Sequence, residues 1–502
     1  MKKYFLLVLL TIFMLSCSKK EVVVTGKLTN ASPLERIELI EASAIATLPI
    51  ANIGLDEKGN FSDTITIAND GIYALAYGGK VNFIYLKKGK NINISGDGNT
   101  LQNELKITGE GQANNEFLME SQKFIIQYLS KLDMSVLTKD EASFLKELEK
   151  YKTDIYKKLD EIAAAKKPDS DVIEWKKGDL DVNLLMLSVQ YESMHGQATN
   201  NPNFKVTPKF KEFQKKLEKE DFVKKYPTYR QYLLSKLGAD LQKFAQTQKD
   251  ANATNTQVFL NFLDTQKDLS QESKDYLAAF VATQFDLNPQ NDKLDQVMKV
   301  LNEKIKSTSI KADLAKVQEA MVGIKVGTPA PDADFIKQDG KTAKLSEMKG
   351  KPTLLVFYSS WAPGMVERIT PVLKELTNFY KSKMNFALIN MDDDTKQFGK
   401  TSKALMNGIT GTNLYAKGGL KSDVAQKFAI YGFKLPSFVV IDKDGKVASR
   451  AFFNIADNQL IETLNKQTGL TAPLAQPQMA PAEAQAGPQP EVHSKDDGHG
   501  HK

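Results

Sequence analysis

Sulfur and imidazole are the scarce reactive groups in this chain. Its 502 residues include one cysteine, Cys17, which excludes an intramolecular disulfide, a Cys-x-x-Cys redox pair and a cysteine-rich metal site. Of four histidines, His195 stands between Met194 and Gly196 with no second ligand nearby and reads as a polar helix residue. The others, His493, His499 and His501, lie near Asp496 and Asp497; they are a weak candidate for loose divalent-metal binding, since no folded second shell surrounds them. Asp392-Asp393-Asp394 follows a strand end and reads as solvated loop carboxylates ahead of a cation site. No GxSxG, Walker loop, HExxH or strand-to-helix GxGxxG occurs, and no cofactor is implied. A net charge of +6 from 67 basic and 61 acidic residues supplies no field for nucleic acid.

Five segments must position these groups. Residues 1–16 read as a signal peptide: Lys2 and Lys3 precede the apolar run Tyr4 to Leu15, too short to span a bilayer comfortably. Residues 17–111 carry short alternating runs separated by Lys58-Gly59-Asn60, Asn69-Asp70-Gly71 and Gly96-Asp97-Gly98, the pattern of an antiparallel β-sandwich-like domain. Residues 112–322 switch to helical spacing. Phe144, Leu148, Tyr151, Ile155, Leu159 and Ile162 form one stripe, opened by a capping box at Thr138 and Glu141. Without sustained heptads this region predicts a bundle. Residues 323–470 alternate strand and helix, implying an α/β sheet around the apolar run Thr353 to Tyr358. There Gly364 to Lys383 predicts a helix with Ile369, Val372, Leu373, Leu376 and Phe379 on one side, and Lys446 to Phe453 predicts a strand. Residues 471–502, rich in Pro, Ala and Gln, predict a disordered tail. The chain is thus a multidomain α+β protein.

Two resemblances extend this reading. Ser16-Cys17 at the end of the apolar run resembles a bacterial lipobox, which implies acylation of Cys17 and a lipid anchor. That places the protein in the envelope of a Gram-negative-type bacterium, on the periplasmic face because Ser18-Lys19-Lys20 lacks an acidic export-like stretch. The second rests on Gly327-x-Pro329-Ala330-Pro331, Asp339-Gly340-Lys341, Lys349-Gly350-Lys351, Leu354 to Trp361 and Leu435-Pro436-Ser437-Phe438. Together these resemble the TlpA/ResA-type thioredoxin-like (redoxin) envelope proteins. The preceding residues look like the β-module of unknown function found before such domains. The resemblance implies a cis peptide at Pro436 and a groove formed by Trp361, Pro363, Leu435, Pro436 and Ser437.

The family's chemistry needs Trp-Cys-x-x-Cys at a helix start, where a lowered pKa makes the first thiol a thiolate. Here the segment is Trp361-Ala362-Pro363-Gly364-Met365, so Ala362 and Met365 occupy the sulfur positions and no catalytic residue remains. Pro371 also falls one residue later than the family spacing, which predicts a reshaped first helical turn. The expectation is a non-catalytic component that binds another envelope protein or a peptide, or an assembly component whose helical region spaces the α/β domain from the membrane. The alternative is a TlpA-type oxidoreductase relative acting through a partner's thiols in envelope redox or cytochrome maturation pathways.

Overall fold

Alternating side chains build the first hundred residues into two facing sheets. The computed structural model describes residues 21–472 apart from 102–104, 132–133, 251, 289–290 and 292; Cys17 and the three tail histidines lie outside the described residues. Strands β1 (Glu21–Thr29), β2 (Ile37–Glu41), β3 (Pro49–Ile53), β4 (Asn60–Thr66), β5 (Gly71–Tyr77), β6 (Lys80–Leu86), β7 (Ile92–Asp97) and β8 (Lys106–Gly109) form sheets ordered β4-β1-β7-β8 and β3-β2-β5-β6. The pattern along β4 buries Phe61, Asp63 and Ile65 and exposes their neighbours, the period-two signature of a half-buried strand. One pair departs from the antiparallel expectation: β1 and β7 run parallel, with Gly26 opposite Ile94. A Cβ at Gly26 would collide with the Ile94 carbonyl, so this close pairing requires glycine.

The helical region comprises α1 (Gln112–Leu129), α2 (Glu141–Lys166), α3 (Ser170–Ala198), α4 (Pro208–Leu217), α5 (Phe222–Lys225), α6 (Pro227–Thr247), α7 (Asn255–Thr265), α8 (Gln271–Val281), α9 (Leu294–Lys304) and α10 (Thr308–Val322). The α2 stripe is buried as its spacing requires. Its cap differs from the expectation. Thr138 sits in a 3-10 turn and donates to the Ser135 carbonyl, so Asp140 caps the helix by accepting from Ser143 N at 3.0 Å. Glu141 instead accepts from the Thr207 amide. His195 is buried against Tyr191 and Phe204, its Nδ1 2.9 Å from the Leu137 carbonyl, which makes it a packing residue.

The β-module and the helices share apolar packing, since Ile45, Ile72 and Tyr85 belong to the helical core. Arg230 fixes that junction. Its buried guanidinium donates to the Ser43 and Ala44 carbonyls at 2.7 Å each, and to Val223 and Lys224. Burial lowers its pKa to about 10.

The last domain contains β9 (Asp334–Lys337), β10 (Thr342–Lys344), β11 (Thr353–Tyr358), β12 (Asn385–Asn390), β13 (Thr412–Tyr415) and β14 (Ser437–Ile441), in the order β10-β9-β13-β12-β11-β14. Helices α11 (Thr370–Tyr380), α12 (Thr395–Leu405), α13 (Asp423–Lys427) and α14 (Asn458–Thr468) accompany the sheet. Every residue of β11 is buried, with β12 parallel on one side and β14 antiparallel on the other. The strand expected over 446–453 is reduced to isolated bridges, Ile441 with Val447 and Phe438 with Phe452.

Replacing Arg230 by Ala strands four carbonyl acceptors. It should cost at least about 3 kcal/mol in urea unfolding followed by Trp175 fluorescence in a Trp361→Phe background.

Candidate functional site

Strand β11 delivers the chain to Ser359-Ser360-Trp361, and a buried carboxylate holds it there. Asp392 is fully buried and accepts from Ser360 N (2.8 Å), Ser360 Oγ (2.9 Å), Asn390 Nδ2 (2.9 Å) and Thr401 Oγ1 (2.6 Å). Four donors satisfy the buried carboxyl oxygens, so the group can be held away from water and fix the start of the turn. Asp393 reaches a different domain, and Asp394 caps α12 by accepting from Gln397 N at 2.7 Å. The three adjacent acids therefore diverge to three partners. Among the described residues no group of three or more His, Cys, Asp or Glu side chains is arranged for a metal.

The turn after Trp361 is a π-helix, Met365–Ile369, with Gly364 left-handed at φ 69°. Arg368 N and Ile369 N both donate to the Gly364 carbonyl, at 3.0 and 3.1 Å. A π turn absorbs one extra residue, which accounts for the late Pro371. That residue also turns the following helix by about 100°. Leu373, Leu376, Thr377 and Tyr380 consequently face inward on α11, while Val372 and Phe379, expected on the buried side, are exposed.

Ala362 (5% exposed) and Met365 (2%), the residues expected at the sulfur positions, both belong to the apolar core of this domain. The Leu435–Pro436 peptide is cis, and Ser437 pairs with Phe357 across β14 and β11. Four buried polar atoms on these segments have no hydrogen-bond partner: Ser359 Oγ, Trp361 Nε1, Thr370 Oγ1 and Ser437 Oγ. Leu435, Pro436 and Ser437 are buried and Trp361 is half-buried; of the expected groove residues only Pro363 is exposed.

What lies over Trp361 comes from the β-module. Arg36, immediately before β2, places its guanidinium carbon 4.5 Å from the centre of the Trp361 ring. Its edge grips Asp393 in a bidentate pair, at 2.7 and 2.9 Å. Asn52 on β3 holds it from behind, through its side-chain oxygen and its carbonyl, while donating to Glu38 at 2.8 Å. Burial of Glu38 raises its pKa, and the Asn52 bond opposes that rise. The Arg36 side chain is only 6% exposed. At Gly54 a Cβ would collide with both the Asp393 carboxylate and the Arg36 guanidinium. A second pair, Lys421 with the buried Asp63, closes the far side of a cavity of about 370 Å³ between β3, β4 and the α13 region.

Sequence reasoning overlooked Arg36, Asp393 as its partner, and Lys434. The Lys434 ammonium has no carboxylate partner; it sits 3.0 Å from Met321 Sδ and 4.4 Å from the centre of the Phe453 ring. Burial lowers its pKa to about 8. The available signal was rarity, because only four of the 67 basic residues are arginine.

The Redoxin family profile matches residues 325–452. The thiol-disulfide oxidoreductases ResA of Bacillus thuringiensis (strain Al Hakam) and of Bacillus anthracis are each 33% identical over 151 residues, 29% of this chain and 80% of theirs. Among solved structures, the thioredoxin domain of a Bacteroides vulgatus thiol-disulfide oxidoreductase is 21% identical, covering 29% of this chain and 99% of that one at a TM-score of 0.25. The chain belongs to the ResA-type redoxin family of thioredoxin-like proteins. With Cys17 as its one cysteine, it has no Cys-x-x-Cys pair.

Two outcomes test the site. Met365→Ala should destabilise the protein by about 2–5 kcal/mol, and Met365→Leu by less than about 1.5 kcal/mol, in denaturant titrations followed by Trp361 fluorescence, as for a residue that fills space. Lys434 has a folded pKa of about 8 against an ordinary 10.5. Below pH 8 both states hold its proton and the burial penalty is at its full size; between 8 and 10.5 the folded state releases the proton first, so stability rises. The thermal midpoint difference between wild type and Lys434→Met should therefore shift in favour of wild type across that interval, and stay flat below pH 8.

Proposed function

We propose that this protein is an envelope lipoprotein whose redoxin domain binds rather than reacts. The observation that carries the reading is the thiol-free Trp361-Ala362-Pro363-Gly364-Met365 segment, with both substituted side chains buried. Neither a methyl group nor a thioether forms a mixed disulfide, so electrons cannot pass through this turn as they do through a dithiol. Acyl chains on Cys17 would anchor the chain to the membrane, each buried methylene contributing about 0.8 kcal/mol. They would also leave the mature protein with no free thiol. Among the described residues no helix is long and apolar enough to cross a membrane. The partner is another envelope protein or a peptide in extended conformation, recognised by backbone hydrogen bonds beside β14. The unpartnered Ser437 and Trp361 groups support that reading, because buried polar atoms left without partners mark places where a ligand or water completes the hydrogen bonding.

Insulin reduction by the purified chain with dithiothreitol should not exceed the buffer blank. Turnover well above it and unaffected by an alkylating agent would refute the binding role. In cell fractionation, Cys17→Ser should move the protein from the membrane to the soluble periplasmic fraction; retention in the membrane would refute the lipid anchor.

A further inference from the structure

The side chain that covers the redoxin face is itself bound like a ligand. Trp361 presents a ring to the flat side of the Arg36 guanidinium, and Asp393 presents both carboxylate oxygens to its edge. A planar fork with five donors satisfies both surfaces at once, and a lysine ammonium does not. The two recognition groups come from the redoxin domain and the guanidinium from the β-module, with Arg36 and Asp393 357 residues apart in sequence.

We propose that Trp361 and Asp393 form a guanidinium-binding site, occupied in this structure by Arg36, and that its ligand in trans is an arginine side chain on an extended partner chain. This deepens the binding role and rests on it, since it names the chemistry that the same face selects. The seam that keeps Arg36 in place can be displaced by competition. Its named contacts are polar: the Arg36–Asp393 pair, the Lys421–Asp63 pair and the exposed Lys400–Glu57 pair at 3.6 Å. Among the described residues the redoxin core includes no side chain from residues 21–111; Ile50, Ile65, Leu420 and Ile430 at the seam line a cavity and do not form a shared core. An incoming arginine exchanges one fork for another and leaves the Asp393 charge compensated throughout.

The test uses the full chain carrying Trp175→Phe, so that Trp361 alone reports. The probes are an acetylated, amidated Ala-Arg-Ala peptide and its citrulline counterpart, which keeps the shape and loses the charge. Arg36→Ala should bind the arginine peptide with a saturable fluorescence change, at least about tenfold more tightly than the citrulline peptide. Adding Asp393→Asn to that variant should abolish the difference. Arg36→Gln offers a second route, because it removes the resident guanidinium while leaving Trp361 and Asp393 unchanged. It should gain the same arginine preference, and raised salt should weaken binding in both variants. If folded Arg36→Ala and Arg36→Gln proteins respond equally to both peptides, or to neither, the proposal is overturned. Insulin turnover would refute the binding role and leave the peptide titration readable.

Discussion

A single guanidinium, held between an indole face and a carboxylate, determines what the redoxin face of this protein can meet. Arg36 is nearly removed from solvent, so its charge must be matched where it lies, and Asp393 matches it with two parallel hydrogen bonds. The surrounding structure follows from that requirement. Gly54 has no side chain because none fits beside the pair, and Asn52 turns its amide to serve Arg36 on one side and Glu38 on the other. The arginines of this lysine-rich chain recur where a planar fork is needed. Arg230 reads four backbone carbonyls at the module–helix junction, and Arg450 bridges Asp457 and Gln459 before α14.

The thioredoxin-like fold persists without its thiols because they never held it together. Its stability resides in the buried β11, the β12 and β14 strands paired with it, and a carboxylate post at Asp392 that fixes the start of the turn. Ala362 and Met365 extend that core into the turn after β11. The polar atoms left without partners at Ser359, Trp361, Thr370 and Ser437 mark how incompletely the site has become ordinary interior.

Much of the scaffold was legible in local patterns, and most of the site was not. The α2 stripe, the continuous apolar run of β11 and the Asp339-Gly340 hairpin follow directly from periodicity and turn chemistry. The late Pro371 foretold a reshaped turn, yet the rotated face of α11 required knowing that the extra residue enters as a π turn. Strands β3 and β13 carry little local signal, because neither shows a clear alternation of buried and exposed residues. Helix α12, whose buried apolar anchors are Phe398 and Leu405, shows no stripe. The contact between Arg36 and Trp361 has no local signature, since tertiary folding alone brings two such distant segments together.

The separation of apolar cores has a thermodynamic consequence. Side chains of the β-module and the helices interlock through Ile45, Ile72 and Tyr85, whereas the redoxin interior is closed upon itself. Cooperativity spreads through shared packing far better than through a charged seam, so the two cores are expected to melt as separable units. A calorimetric trace should then resolve two endotherms in place of one.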